Sequence, residues 1–482
     1  MANKRQNDMY QEIFKEFIAL KDKDLKKSQE VFKSVFDQVK KKLEEQCNFF
    51  AKYATQVLYA GSVYDGIKVS KLDEFDMNIV IRLPINYDDS EDGIILENDL
   101  PGFVKLRIGR AFDNLDKQKE WESCHKITRD WRDNDKYLLQ NKFRSWLHSL
   151  IQTALNSMKH EVTVNDVKYI LSYKSSGPAY TLNIKSVPTD EPFNLDVDLV
   201  PVIRFMLPRW PKGYKNINND KAKEWFVVPK PNKNIETSNL QNKCWRLSFQ
   251  EQEKYIMRDL KQLKITIRLV KKLRDARGMK HIASYYIKTL FLWKIQRTNH
   301  KKYWESNVST IFKDMIEEFY DAVNKKNIPY FWHEKNNLIG GVKETVLRVY
   351  ADKLKEVLDS INKNDVEKLS SYLLTKEEFD IFKNSEFFKK YQTAAVHRQM
   401  SMESTSSYQS SQSRDVPDSS QSSNTDVIKD LMDKISVLTK RVNSQEERIK
   451  ALEMNKQKLS VNAAYNGFIP EKNSEVSDLL TF

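Results

Sequence analysis

The stretch from Gly61 to Ile81, GSVYDGIKVSKLDEFDMNIVI, restricts the possible fold more than any other part of the chain. Glu74-Phe75-Asp76 opens an apolar run that reads as a strand. Side chains alternate across a strand, so Glu74 and Asp76 face one way while Phe75 and Met77 face the other. One strand face thus carries two carboxylates about 7 Å apart, placed to share a hard, oxygen-seeking cation such as Mg2+. Upstream, Gly61-Ser62 follows the apolar run Val57-Leu58-Tyr59-Ala60. A backbone this poor in side chain can approach a triphosphate, offering a hydroxyl and free N–H groups as donors. Taken alone, E-x-D is more often two solvated acids on an exposed face. A third acid changes that balance, and residues 194–205, NLDVDLVPVIRF, supply it on an apolar strand with Asp196 and Asp198 on one face. Two-metal phosphoryl transfer needs such a carboxylate to complete the metal shell and to accept the proton of an attacking sugar hydroxyl.

A chain of 482 residues with 40% hydrophobic residues can bury a large core. Its 80 basic and 67 acidic residues leave a net charge of +13 and favour a polyanionic partner without identifying it. Cys47, Cys124 and Cys244 are few, widely spaced and odd in number, which fits a reducing compartment and offers neither a disulfide framework nor a zinc motif. No apolar run approaches membrane-spanning length and the first residues lack a signal-peptide core. The expectation is a cytoplasmic or nuclear protein with no membrane partner.

Along the chain, residues 8–58 read as one or two long helices, with Val31, Phe32, Val35, Phe36, Val39 and Leu43 recurring at helical spacing. Lys26, Lys33 and Lys40 recur every seven residues on one flank, with Lys27 and Lys41 nearby. Most such runs are solvated helix faces. After the first hairpin comes an Asp/Asn/Gly-rich loop and a short strand, then a helical region over 109–160 in which Trp146 reads as core. Strands return over 161–205, an irregular Pro/Asn/Lys-rich crossing covers 208–242, and nearly all signals from 243 to 395 are helical. The Ser/Gln-rich run at 396–425 reads as a disordered linker. Ile428, Leu431, Ile435, Leu438, Val442, Gln445, Ile449, Leu452, Lys456 and Leu459 then step by three and four, the pattern of a coiled coil and a homodimer, or of one amphipathic helix docked on the rest.

Gly-Ser, E-x-D and a distant strand Asp resemble the polymerase-beta-like nucleotidyltransferases. GS-x11-EFD, SSGPAYTLNI before LDVDLVPVI, CWRLSFQEQEKYI and SYYIKTLFLW resemble, in the same order, motifs of the cyclic GMP-AMP synthase-like receptors and male-abnormal-21-like proteins, over about residues 10–395. The resemblance implies an α+β, bilobed fold: a spine helix and catalytic lobe with a mixed sheet over 1–242, a helical lobe over 243–395, the linker, a coiled coil at 426–460 and a tail at 461–482. It implies Glu74, Asp76 and Asp198 as catalytic metal ligands for Mg2+ or Mn2+. Nucleotide contacts would come from Gly61, Ser62, Arg246, Ser248, Glu253, Lys271, Ser284, Tyr285 and Lys288; without the resemblance, Lys271 and Lys288 read as surface lysines. ATP and GTP would be the substrates, and the product a cyclic dinucleotide messenger of innate antiviral signalling. Lys26, Lys27, Lys33, Lys40 and Lys41 would border a groove for double-stranded nucleic acid.

One departure bears on the activator. Vertebrate members carry a zinc-binding insertion shortly after WRLSF, whereas Met257-Arg258-Asp259-Leu260 and the residues through Arg268 contain no Cys or His. No zinc is expected, and double-stranded RNA, read through its shape and phosphates, is favoured over DNA. Two alternatives share the three acids: a linear-product transferase of the oligoadenylate synthase type, and a catalytically silent scaffold of the male-abnormal-21-like type.

Overall fold

Strand β2 (Glu74–Ile81) is the element around which the sheet is assembled. Phe75 and Met77, on the face opposite the acids, are almost wholly buried. Phe75 meets Phe32 and Tyr59 edge-on, at ring separations of 5.8 and 5.7 Å. Burying such a ring contributes about 2–3 kcal/mol, so the alternation that turns two acids to one face also fixes which face of the strand turns inward. Phe32 belongs to the helix Asp22–Gln46, whose buried residues include Val31, Val35, Phe36, Val39 and Leu43. Asp22 and Asp24 in its first turn suit the positive end of the helix dipole.

The computed structural model describes residues 2–393 apart from 70–71, 84, 86–91, 99, 114–121, 177–178, 188–191, 218–220, 233–234 and 299. The linker, coiled coil and tail expected from the sequence lie outside the described residues. Ten strands form one sheet. Besides β2 they are β1 (Ala54–Ala60), β3 (Ile94–Glu97), β4 (Phe103–Ile108), β5 (Glu161–Val164), β6 (Val167–Ser176), β7 (Ala179–Ser186), β8 (Asn194–Met206), β9 (Glu224–Val228) and β10 (Cys244–Ser248). The order runs β3-β4-β10-β9-β8-β7-β6-β5, with β1 joined through β2 to β8. β2 and β8 are parallel, whereas the neighbours of β10 and the β5–β8 meander are antiparallel. The fold is the mixed α+β arrangement expected, with helices from Gln250–Ile256 through Lys376–Lys383 forming the second lobe.

Three differences from the sequence reading are local. Residues 54–58, expected to continue a helix, begin β1; the helix Asn48–Tyr53 stops before them and Ala54 pairs with Ile81. The supposed irregular crossing contains β9, in which Trp225, Phe226 and Val227 are buried. Cys244–Ser248, expected to lead the helical lobe, is instead a sheet strand between β4 and β9, so the sheet extends past the boundary drawn at 242/243. The other end of the chain crosses that boundary too. Helix Ala2–Ile13 packs among the C-terminal helices, with Tyr10 4.6 Å from Phe312 and Gln6 Nε2 donating to the Ile361 carbonyl at 2.7 Å. Helix Asp22–Gln46 then carries the chain to the sheet. Among the described residues, no helix is long and apolar enough to cross a membrane.

Candidate active site

The register of β2 on β8 builds the site. Asp76 pairs with Asp198 and Glu74 with Asp196, and paired residues of parallel strands share a face. Ligand oxygens of Glu74, Asp76 and Asp198 all lie within 4.8 Å of one another. Glu74 is exposed; Asp76 and Asp198 are half-buried. Burial, reinforced by the charges of Glu74 and Asp198, pushes the Asp76 carboxyl up to about 6. Burial also raises Asp198, opposed by a hydrogen bond from Thr181 Oγ1 at 2.5 Å. Asp196 accepts from Asn183 Nδ2 at 2.7 Å.

Asp76 and Asp198 are both raised in this cluster, and a hard divalent cation would favour their ionised forms. The set contains only oxygen donors, which suits Mg2+ or Mn2+. Glu74, Asp76 and Asp198 would therefore hold the ion, and they are the residues singled out from the sequence.

Gly61 explains the Gly-Ser turn. Its φ is +67°, and a Cβ added there would stand 1.8 Å from Asp76 Oδ2. Both the left-handed backbone and the close approach of a metal-site carboxylate require glycine. Ser62 follows, half-buried, in the short helix Gly61–Tyr64. Arg246 and Ser248 are half-buried at alternate positions of β10, with the Arg246 guanidinium 5.9 Å from the centre of the Tyr285 ring. Ser284 Oγ accepts from Arg274 at 2.8 Å. The Tyr285 hydroxyl donates to Glu253 Oε1 at 2.6 Å, and burial carries that hydroxyl well above its ordinary pKa.

The remaining candidates engage the chain itself. Lys271 Nζ donates to the Ile67 carbonyl at 2.7 Å, and burial lowers its pKa to about 8. Lys288 lies between Asp65 and Glu253, at 2.5 and 2.7 Å. On helix Asp22–Gln46, Lys26 and Lys41 are exposed, while Lys27, Lys33 and Lys40 are half-buried; Lys40 pairs with Glu44 at 3.5 Å. Sequence reading missed Thr181 and Asn183, although both alternate on β7 opposite Asp198 and Asp196. It also missed Asp65, for which no local signal exists.

Residues 63–259 match the family model for the Mab-21 protein nucleotidyltransferase domain, and residues 260–356 match that for the Mab-21 protein HhH/H2TH-like domain. The junction falls beyond β10, on the helical side of the sheet. The chain is 33% identical over 380 residues to a cyclic GMP-AMP synthase-like receptor of Aethina tumida, covering 77% of this chain and 92% of the relative. A receptor of the same name from Tribolium castaneum is 33% identical over 384 residues, with 76% and 92% covered. Cyclic GMP-AMP synthase-like receptor 1 of Drosophila erecta is 31% identical over 284 residues, with 57% and 60% covered.

Two outcomes follow from this geometry. Gly61→Ala should weaken Mn2+ binding at least tenfold by calorimetry while the protein stays folded by circular dichroism; wild-type affinity would mean the turn does not constrain Asp76. Asp76 holds its proton more tightly folded than unfolded, so its contribution to stability is present near pH 4 and lost as the pH rises through about 6. Thermal unfolding of Asp76→Asn without metal should therefore gain on wild type across that window and run parallel above it. Added Mg2+ should raise the melting temperature of wild type alone, and more at pH 7.5 than at pH 5.5.

Proposed function

The chain belongs to the Mab-21 nucleotidyltransferase family, among its cyclic GMP-AMP synthase-like receptors, and from that premise we propose that it is a nucleic-acid-activated enzyme joining ATP and GTP into a cyclic dinucleotide messenger of innate antiviral signalling. The observation that carries the reading is the in-register pairing of Asp76 with Asp198, which gathers three carboxylates beside a turn only glycine can make. An intact trio also speaks for an enzyme over a silent scaffold.

In this reading Glu74, Asp76 and Asp198 hold Mg2+ or Mn2+, which would supply charge neutralisation at the phosphates and ease ionisation of the attacking hydroxyl. Asp198, whose proton affinity is raised, receives the proton of the ribose hydroxyl that attacks the α-phosphate of the other nucleotide, while the bond from that phosphorus to the β-phosphate oxygen breaks and pyrophosphate leaves. Ser62 and the N–H groups of its turn bind phosphate oxygens. Arg246, Ser248 and Ser284 add donors, and Lys271 exchanges the Ile67 carbonyl for a phosphate. Tyr285, partly exposed beside Arg246, stacks on a purine. Glu253 and Lys288 act on the nucleotide through the groups they hold in place. A second attack in the same site closes the ring.

Double-stranded RNA is the favoured activator, because residues 257–268 lack every zinc-ligating Cys and His and because Lys26, Lys27, Lys33, Lys40 and Lys41 share one long helix.

Purified protein incubated with labelled ATP and GTP, Mg2+ and long duplex RNA should yield a phosphatase-resistant cyclic product that Asp76→Ala reduces at least a thousandfold. No product with any duplex would contradict the proposal, and a product with free ends would establish the linear transferase instead. Replacing Lys26, Lys33 and Lys40 with Glu should raise the duplex concentration for half-maximal activity at least tenfold. The logarithmic salt dependence of binding should flatten by about 0.9 for each phosphate that is no longer neutralised; unchanged activation would place the duplex elsewhere.

A further inference from the structure

Asp65 directly follows the Gly61–Tyr64 turn, and its side chain is 8% exposed. The cation that neutralises it, Lys288, lies 223 residues away in the helix Ser284–Thr298. Lys288 Nζ approaches Asp65 Oδ2 at 2.5 Å and Glu253 Oε2 at 2.7 Å, and these three side chains are all under a tenth exposed. The other oxygen of Glu253 accepts from the Tyr285 hydroxyl at 2.6 Å and from Trp332 Nε1 at 2.8 Å. Every charge in the cluster is thus engaged, on a segment that in most proteins would be a solvated surface loop.

The next two residues are held in the same way. The Gly66 carbonyl accepts from Arg268 Nε at 3.1 Å and the Ile67 carbonyl from Lys271 Nζ at 2.7 Å. Before a nucleotide draws Lys271 away, three consecutive residues after the turn are therefore gripped by cations from two helices of the second lobe, Leu263–Ala276 and Ser284–Thr298, and Asp65 and Gly66 remain so afterwards. Charge-assisted hydrogen bonds are short and directional, and a buried carboxylate stripped of its cation is strongly disfavoured. The turn accordingly cannot move independently of those helices without breaking the cluster.

We infer that Asp65 is a positioning residue: through Lys288 it docks the Gly61–Ser62 turn onto the helical lobe, so that the placement of the turn over Asp76 follows the placement of that lobe. Lys288 and Glu253 then serve the turn and not a phosphate. The consequence for turnover rests on the nucleotidyltransferase reading; the docking itself does not.

Hydrogen exchange reads the docking without any nucleotide. The amides of Asp65, Gly66 and Ile67 donate to the carbonyls of Gly61, Val63 and Ser62 at 3.1, 3.0 and 2.8 Å, so a peptide spanning 61–68 reports the turn. In Asp65→Asn, exchange there should quicken at least tenfold while the helix Glu344–Lys363 keeps wild-type protection. Asp65→Glu keeps the charge but lengthens the side chain, and it should loosen the same peptide; it decides the matter if the Asn variant unfolds throughout. In a nucleotide assay both folded variants should lose at least tenfold in kcat with KM changed less than threefold. Wild-type exchange over 61–68 in a folded Asn or Glu variant would overturn the inference. So would a Glu variant that restores kcat fully, since neutralising Lys288 would then be the whole role. Absence of turnover in the wild type would count against the proposed function and leave the exchange result standing.

Discussion

Everything chemical in this protein depends on β2 lying parallel to β8 with Asp76 opposite Asp198. A slip of one residue along that ladder would turn the β8 acids to the other face and put Val197 or Leu199 beside Asp76. The register is held by what lies behind it. Phe75, Met77, Val197 and Leu199 are almost fully buried, and Phe75 is wedged against Phe32 of the long N-terminal helix. The cost of exposing those side chains is what keeps three like charges together at the front.

That concentration of charge is resolved in two ways within the described residues. Thr181 and Asn183 from β7 donate to Asp198 and Asp196, fixing the direction of each carboxylate by hydrogen bonds to the neighbouring strand. Lys68 stands 3.4 Å from Glu74 and 3.3 Å from Asp73. Neither arrangement brings Asp76 back to an ordinary carboxyl pKa. The strand face is consequently a place where a divalent cation gains more than it would on a typical acidic surface.

Much of this was legible because it is local. Alternation within EFD and within LDVDL fixes which acids share a face, and the helical spacing of Val31 through Leu43 identifies the packed side of the first long helix. The pairing between distant segments was inferred from chemistry and resemblance, since nothing in either strand alone encodes the register. Strand β9 was hidden because its five residues sit in a stretch rich in Pro, Asn and Lys. The strand character of Cys244–Ser248 was obscured by the helical segments around it. The roles of Lys271 and Lys288 were least accessible: a lysine on a helix carries no sign of whether it faces solvent, a phosphate or a carbonyl more than 200 residues away in sequence. Asp65 shows the same limit from the acidic side.

The central claim is that Glu74, Asp76 and Asp198 together hold divalent cations against a triphosphate. Anomalous diffraction from crystals grown with Mn2+ and a non-hydrolysable ATP analogue tests it most directly. The account requires manganese peaks bridging those three carboxylates and the triphosphate, beside the Gly61-Ser62 turn. Manganese bound elsewhere, with Asp198 turned away from Asp76 while the analogue is in place, would contradict it.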